Sequence, residues 1–231
     1  CCIPAPALTE RAAKLLGTPT EEVRAVLKEA LAAERLAAED VGADTLVYPP
    51  WLYRAEKRTA EILFFLQQKA AVLSREKAAG IVADWERTAA ITLAKEQREA
   101  VAAVLDHAVF VLTGGPGTGK TTVVRGMIAV LESQGLSVLL GAPTGRAAKR
   151  LAEATGRRAE TVHRLLGAQG GSAPDGAPLF EKDADDPLDA DAIILDEVSM
   201  MDIVLMEHFL DAVPEGARVI LVGDVDQLPA V

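Results

Sequence analysis

Apolar positions in this chain follow two rhythms. Through the first 90 residues they return every three or four positions, the period of a helix with one face in a core. Residues 8–16 carry such a stripe, and Gly17 stops it. Thr20-Glu21-Glu22-Val23 opens a second helix, with Thr20 as its N-cap and carboxylates in its first turn. That helix runs to about Leu31 or Arg35. Residues 36–40 and 45–48, around Val41-Gly42-Ala43-Asp44, read as a β-hairpin that Pro49-Pro50 ends. Residues 51–69 form a long amphipathic helix, with Leu52, Ala55, Thr59, Ile62, Leu63 and Leu66 near one face. Residues 74–88 form another, with Gly80 as its weak point. Trp85 there is expected in a core rather than as a base-stacking platform, since burial is the commoner use of tryptophan.

Beyond residue 90 the rhythm changes. Residues 109–112, 137–140, 192–195 and 219–222 are short, nearly continuous apolar runs, and helical stretches separate them. Such runs are strands of a parallel sheet covered on both faces. The pattern predicts an α/β domain over residues 91–231 after a mainly helical region over residues 1–90. The two helices and ribbon of that first region resemble a winged-helix unit, which serves either as a DNA binder or as a packing module. A Gly/Pro/Ser-rich stretch, residues 168–178, predicts an exposed loop, and an acidic stretch follows it over residues 181–191.

Composition narrows the options. At 231 residues the chain suffices for one large domain or two smaller ones. No apolar run is long enough to span a membrane. Cys1-Cys2-Ile3-Pro4 lacks the basic and apolar regions of a secretory signal, and without an initiator Met it implies an upstream segment. The two adjacent cysteines exclude a disulfide framework and a four-cysteine zinc site, and are expected as small buried residues or an untied end. A cytoplasmic setting is the expectation. The net charge of −10 argues against a surface that grips nucleic acid everywhere, so any such contact must come from a few placed cations.

The strongest chemical signal is Gly114-Gly115-Pro116-Gly117-Thr118-Gly119-Lys120-Thr121-Thr122, which fits the P-loop pattern between a strand and a helix. Its glycines let backbone N–H groups turn toward a phosphate, and the helix N-terminus adds partial positive charge. Lys120 is placed to reach the β- and γ-phosphates, and Thr121 to hold Mg²⁺. Asp196 and Glu197 end the third strand. One carboxylate for the metal and one for the attacking water is the division that hydrolysis needs. Gly223-Asp224-Val225-Asp226-Gln227 follows the fourth strand, with Gln227 placed to sense the γ-phosphate. After the second strand come Pro143 and Thr144, then a helix with Arg146, Lys149 and Arg150, a set suited to nucleic-acid phosphates. His163 stands in Thr161-Val162-His163-Arg164; a lone histidine is more often structural, and here only its neighbours raise the functional reading.

Together these segments resemble the RecD-type helicases, the 5′-to-3′ branch of superfamily 1. The resemblance covers residues 91–231 and, less diagnostically, the helical region before them. It implies a RecA-like P-loop domain with a parallel sheet, ATP and Mg²⁺ as ligands, and single-stranded DNA as partner. It assigns Lys120, Asp196, Glu197 and Gln227 to catalysis. It assigns Gln97, Gly115, Pro116, Gly117, Thr118, Gly119, Lys120, Thr121 and Thr122 to the nucleotide, with Gln97 reading the adenine. It assigns Thr121 and Asp196 to the metal, and Pro143, Thr144, Arg146 and His163 to DNA. The family's second RecA-like domain, which supplies γ-phosphate arginines worth roughly three to five powers of ten, is not found in these residues. This stretch alone is therefore expected to hydrolyse ATP weakly and not to unwind.

Two other functions use the same motifs. A nucleotide-dependent switch would bind DNA or protein without unwinding. A small-molecule kinase would need a lid and an acceptor-binding segment, neither of which is found, and the Asp196–Glu197 pair favours water as acceptor.

Overall fold

The computed structural model describes residues 2–69, 75–115, 117–169 and 179–224. Strand β1 (Ile3–Pro4) leads into α1 (Ala5–Leu16), which Gly17 closes in the left-handed conformation at φ 67°. Helix α2 (Thr20–Ala32) starts one residue earlier than a Thr20 cap requires. Pro19 is the capping residue and makes no side-chain bond, because its ring fixes φ near the helical value and Thr20 enters the first turn. Strands β2 (Ala37–Val41) and β3 (Asp44–Tyr48) pair antiparallel across Gly42-Ala43, with Gly42 at φ 64°. Strand β1 pairs with the other side of β3, Ile3 opposite Val47, which makes three strands where the pattern showed two. Cys2 is an exposed free thiol rather than a buried residue. Helix α3 (Pro50–Lys69) follows, and Ala55, Thr59 and Leu66 of its expected apolar face are buried.

The chain separates into two units, Cys1–Ala60 and Glu61–Val231. The division falls about 30 residues before the change of rhythm, for a physical reason. Helix α4 (Arg75–Ala89) belongs to the sheet domain, with Ala78 and Val82 fully buried in its core and Trp85 packed against them.

The second unit continues with α5 (Lys95–Ala103), β4 (Val109–Thr113), α6 (Lys120–Ser133), β5 (Val138–Ala142) and α7 (Gly145–Thr155). Then come β6 (Glu160–Thr161), α8 (Val162–Leu165), β7 (Ala192–Leu195), α9 (Ile203–Asp211) and β8 (Arg218–Gly223). The five strands β4 to β8 are all parallel, in the order β4-β8-β7-β5-β6. Alternate residues feed two apolar layers, as a pleated strand requires. Ile194, Ile220 and Val222 face one layer with α4, α5 and α6. Ile193, Leu195, Val219 and Leu221 face the other with Leu66, Val162, Phe209 and Leu210. Strand β8, last in the chain, lies between the P-loop strand β4 and the Asp-Glu strand β7. This is the RecA-like P-loop fold. Strand β6 is only two residues long, too short for its pattern to mark it as a strand.

Trp85 fixes how α4 lies on the P-loop helix. A Cβ built on Gly126 of α6 falls 2.7 Å from the Trp85 ring and 2.9 Å from Val101. Gly126→Ala is therefore expected to destabilise the protein by ~1–3 kcal/mol through overpacking, although alanine ordinarily favours a helix. Equilibrium urea denaturation checks this, and an unchanged or higher midpoint contradicts it.

Candidate nucleotide site

Parallel strands deliver all their C-terminal ends to one edge of a sheet. Along that edge lie, in spatial order, the P-loop after β4, Gly223 and Asp224 after β8, Asp196 and Glu197 after β7, Pro143 and Thr144 after β5, and the turn into α8 after β6. The first three sets meet at one cleft, and the last two, which carry the residues expected to contact nucleic acid, lie farther along the edge.

The P-loop turns by backbone conformations that side chains resist. Gly117 and Gly119 sit at φ 75° and φ 84°. A Cβ on Gly114 would lie 2.8 Å from the Thr118 hydroxyl, so a larger residue there would displace that side chain from its bond to Gly115. The Thr118 hydroxyl donates to the Gly115 carbonyl at 2.9 Å. Helix α6 begins at Lys120, and its first turn presents Thr121 and Thr122. The Lys120 ammonium donates to the carbonyls of Gly114 and Gly115 and lies 3.8 Å from the buried Asp224 carboxylate.

Gln97 lies beside the loop. Its Nε2 donates to the Thr118 carbonyl at 3.1 Å, and its Oε1 accepts from the Ala94 N–H at 3.0 Å. The amide thus braces the start of α5 against the P-loop, so pairing with an adenine requires it to exchange these partners.

Lys120, Thr121, Asp196, Glu197 and Asp224 line one cleft of about 290 Å³, together with Arg150, Leu151 and Gly223. Burial pushes the Asp196 carboxyl above its ordinary value. The Glu197 N–H, which donates to Asp196 Oδ1 at 2.9 Å, and the Lys120 charge oppose that shift, while the Glu197 charge adds to it. Glu197 holds a left-handed backbone at φ 55°, uncommon for a residue with a side chain and a recurrent feature of functional sites. A half-buried carboxylate with incomplete compensation, beside a lysine and a hydroxyl at a helix start, is a donor set that fits a hard divalent cation and phosphate oxygens. Thr121 and Asp196 are the residues that would hold such a cation.

The far part of the edge is built from capped helix starts. The Thr144 hydroxyl accepts the Ala147 N–H at 3.2 Å and caps α7, and Pro143 precedes it. Arg146 is exposed on the first turn. Thr161 caps α8 in the same way. His163 is exposed, with its ring 6.1 Å from Phe180, which lies 5.0 Å from His208. This ring series joins residues about 45 positions apart, and neither Phe180 nor His208 carried a sequence signal. Arg150, grouped by pattern with the DNA-facing cations, instead lines the nucleotide cleft, with Nη1 4.0 Å from Glu197 Oε1. Pro116 and Gln227 lie outside the described residues, as do residues 170–178 of the Gly/Pro/Ser loop.

A family described as AAA domain matches residues 97–231. The chain belongs to the AAA domain family. Among curated relatives, the ATP-dependent RecD2 DNA helicase of Deinococcus radiodurans is 45% identical over 188 residues, covering 80% of this chain and 24% of that protein. The RecBCD enzyme subunit RecD of Mycobacterium tuberculosis is 38% identical over 211 residues, covering 81% of this chain and 34% of that protein. The chain thus spans about a quarter to a third of the length of these relatives. The resemblance to RecD-type helicases read from the motifs is borne out. Among solved structures, an arterivirus nonstructural protein 10 helicase with DNA is 15% identical over 85% of this chain and 41% of that one. Its TM-score is 0.34.

The Asp196 shift has a consequence for stability. A folded-state pKa above the ordinary 3.8 means that ionisation costs the fold free energy as pH rises past that value. Asp196→Asn removes the cost and is expected to melt above the parent AAA domain at pH 7. The gap should shrink as the pH is lowered through and below 3.8, since the carboxyl is protonated folded and unfolded alike only well below that value. Thermal scans across pH check this, and a lower midpoint for the variant at pH 7 contradicts it.

Proposed function

We propose that this AAA domain is the ATP-binding half of a 5′-to-3′ DNA helicase motor that moves on single-stranded DNA. The observation that carries the reading is the single cleft in which Lys120, Thr121, Asp196 and Glu197 meet at the sheet edge. The relative named as a DNA helicase supports DNA as the substrate, and the direction rests on the resemblance of the motifs to the RecD type. Lys120 pairs with the β- and γ-phosphates, and the P-loop N–H groups cradle them. Mg²⁺, when bound, draws charge from the phosphate oxygens. Glu197 orients the attacking water and takes its proton. Pro143, Thr144, Arg146 and His163 hold the DNA backbone farther along the edge. In this reading a second RecA-like domain supplies the facing arginines, and this stretch alone turns ATP over slowly and does not unwind.

Lys120→Ala is expected to cost about 3 kcal/mol of ATP affinity, roughly a hundredfold, through the loss of two charge-assisted bonds. Glu197→Gln should bind ATP as the parent does and hydrolyse it roughly 10²–10⁴-fold more slowly in the complete protein. Fluorescent-nucleotide titration and single-turnover hydrolysis separate the two, and Glu197→Gln with full turnover removes the assignment of Glu197 as base.

Arg146→Ala should weaken binding to single-stranded DNA of any sequence and reduce the magnitude of the salt slope by about 0.7, the share of one phosphate contact. A loss confined to particular sequences contradicts a backbone contact. A nucleotide-dependent switch predicts the same binding but no strand displacement from a 5′-tailed duplex by the complete protein.

A further inference from the structure

The three cations of α7 have different surroundings. Arg146 is exposed on the first turn, and Lys149 lies 3.9 Å from Glu153 on its own helix. Arg150 lines the nucleotide cleft, 4.0 Å from the Glu197 carboxylate. Its side chain is 61% exposed at the cleft rim, whereas that of Glu197 is 25% exposed, so the cation reaches a carboxylate that is mostly enclosed. The Glu197 backbone is already set by its left-handed turn and by the bond from its N–H to Asp196. What that turn leaves open is where the carboxylate points.

We propose that Arg150 is the positioning residue for Glu197 and couples it to the DNA-facing end of α7. The inference rests on the hydrolase reading above. At 4.0 Å the guanidinium attracts the carboxylate beyond hydrogen-bond range, so Glu197 is held on the cleft side yet stays mobile enough to meet a water. Helix α7 is a single 11-residue segment that starts at the Thr144 cap, and Arg150 lies one turn beyond Arg146. A load on its first turn therefore moves the Arg150 guanidinium relative to Glu197, which is fixed to a different strand. Single-stranded DNA gripped at Thr144 and Arg146 changes the geometry of the base through this helix.

The test compares Arg150→Ala, Arg150→Lys, Glu197→Gln and the double variant Arg150→Ala/Glu197→Gln in the complete protein. It reads the affinity for a fluorescent ATP analogue, the affinity for single-stranded DNA, and kcat and KM with and without DNA. Arg150→Ala is expected to lower DNA-stimulated kcat roughly tenfold while both affinities stay within about twofold of the parent. Arg150→Lys should restore part of the rate, since it returns the charge without the planar fork. Adding Arg150→Ala to Glu197→Gln should lower the rate no further, because Arg150 acts through Glu197. A fall in DNA affinity like that of Arg146→Ala overturns the proposal in favour of a DNA contact. A fall in ATP affinity overturns it in favour of a phosphate contact, and an unchanged kcat overturns it outright. A parent protein that binds ATP without turnover removes the hydrolase reading and the Arg150 role together, whereas normal parent turnover with an unaffected Arg150→Ala removes the role alone.

Discussion

Five strands running the same way are the constraint on which the larger unit depends. A parallel sheet needs a crossover between successive strands, and those crossovers cover both faces with helices. Its strands must then be apolar throughout, so polar groups are confined to the ends. The C-terminal ends of the strands share one edge, and the P-loop, Asp196–Glu197, Gly223–Asp224 and Pro143–Thr144 are therefore delivered to it. Insertion of β8 between β4 and β7 adds a buried carboxylate, Asp224, 3.8 Å from Lys120.

The cleft trades stability for chemistry in two visible places. Asp196 carries a charge that burial penalises, and Glu197 carries a backbone conformation that its side chain resists. Neither feature serves packing. Both follow from requiring two adjacent carboxylates at the end of a buried strand to face the same space. The surroundings are correspondingly rigid. Trp85 meets α6 at Gly126 with no room for a methyl group, and Glu86 accepts from Arg98 and from the Leu93 N–H just before α5. That contact holds the Glu86 carboxyl below its ordinary range. Strain at the site is sustained because the helices behind it are packed without slack.

Several elements were legible in the chain because their signals are local. The four longer strands are continuous apolar runs, and Gly17 ends α1 because only a left-handed residue closes that helix at its position. The P-loop reads directly from its glycines, since backbone conformation and side-chain absence are properties of single positions. Other features were not legible. Strand β6 is two residues long, β1 is a strand only because β3 offers it an edge, and Pro19 displaces Thr20 as cap by ring geometry. Helix α4 joined the sheet domain because its apolar face found α5 and α6, a choice that a helical period cannot express.

The sequence by itself determined the classes of element, the order of the motifs and the residue types that meet a nucleotide. These depend on periodicity and on neighbours a few positions apart. Only the tertiary structure decided which of those residues share a space. Arg146 and Arg150 sit one turn apart on a helix and look equivalent as a pattern, yet Arg150 lines the nucleotide cleft beside Glu197, 47 positions away. His163 meets Phe180, and Phe180 meets His208, for the same reason. Strand order in the sheet sets such distances, and strand order is fixed by the packing of whole faces rather than by any local stretch of chain.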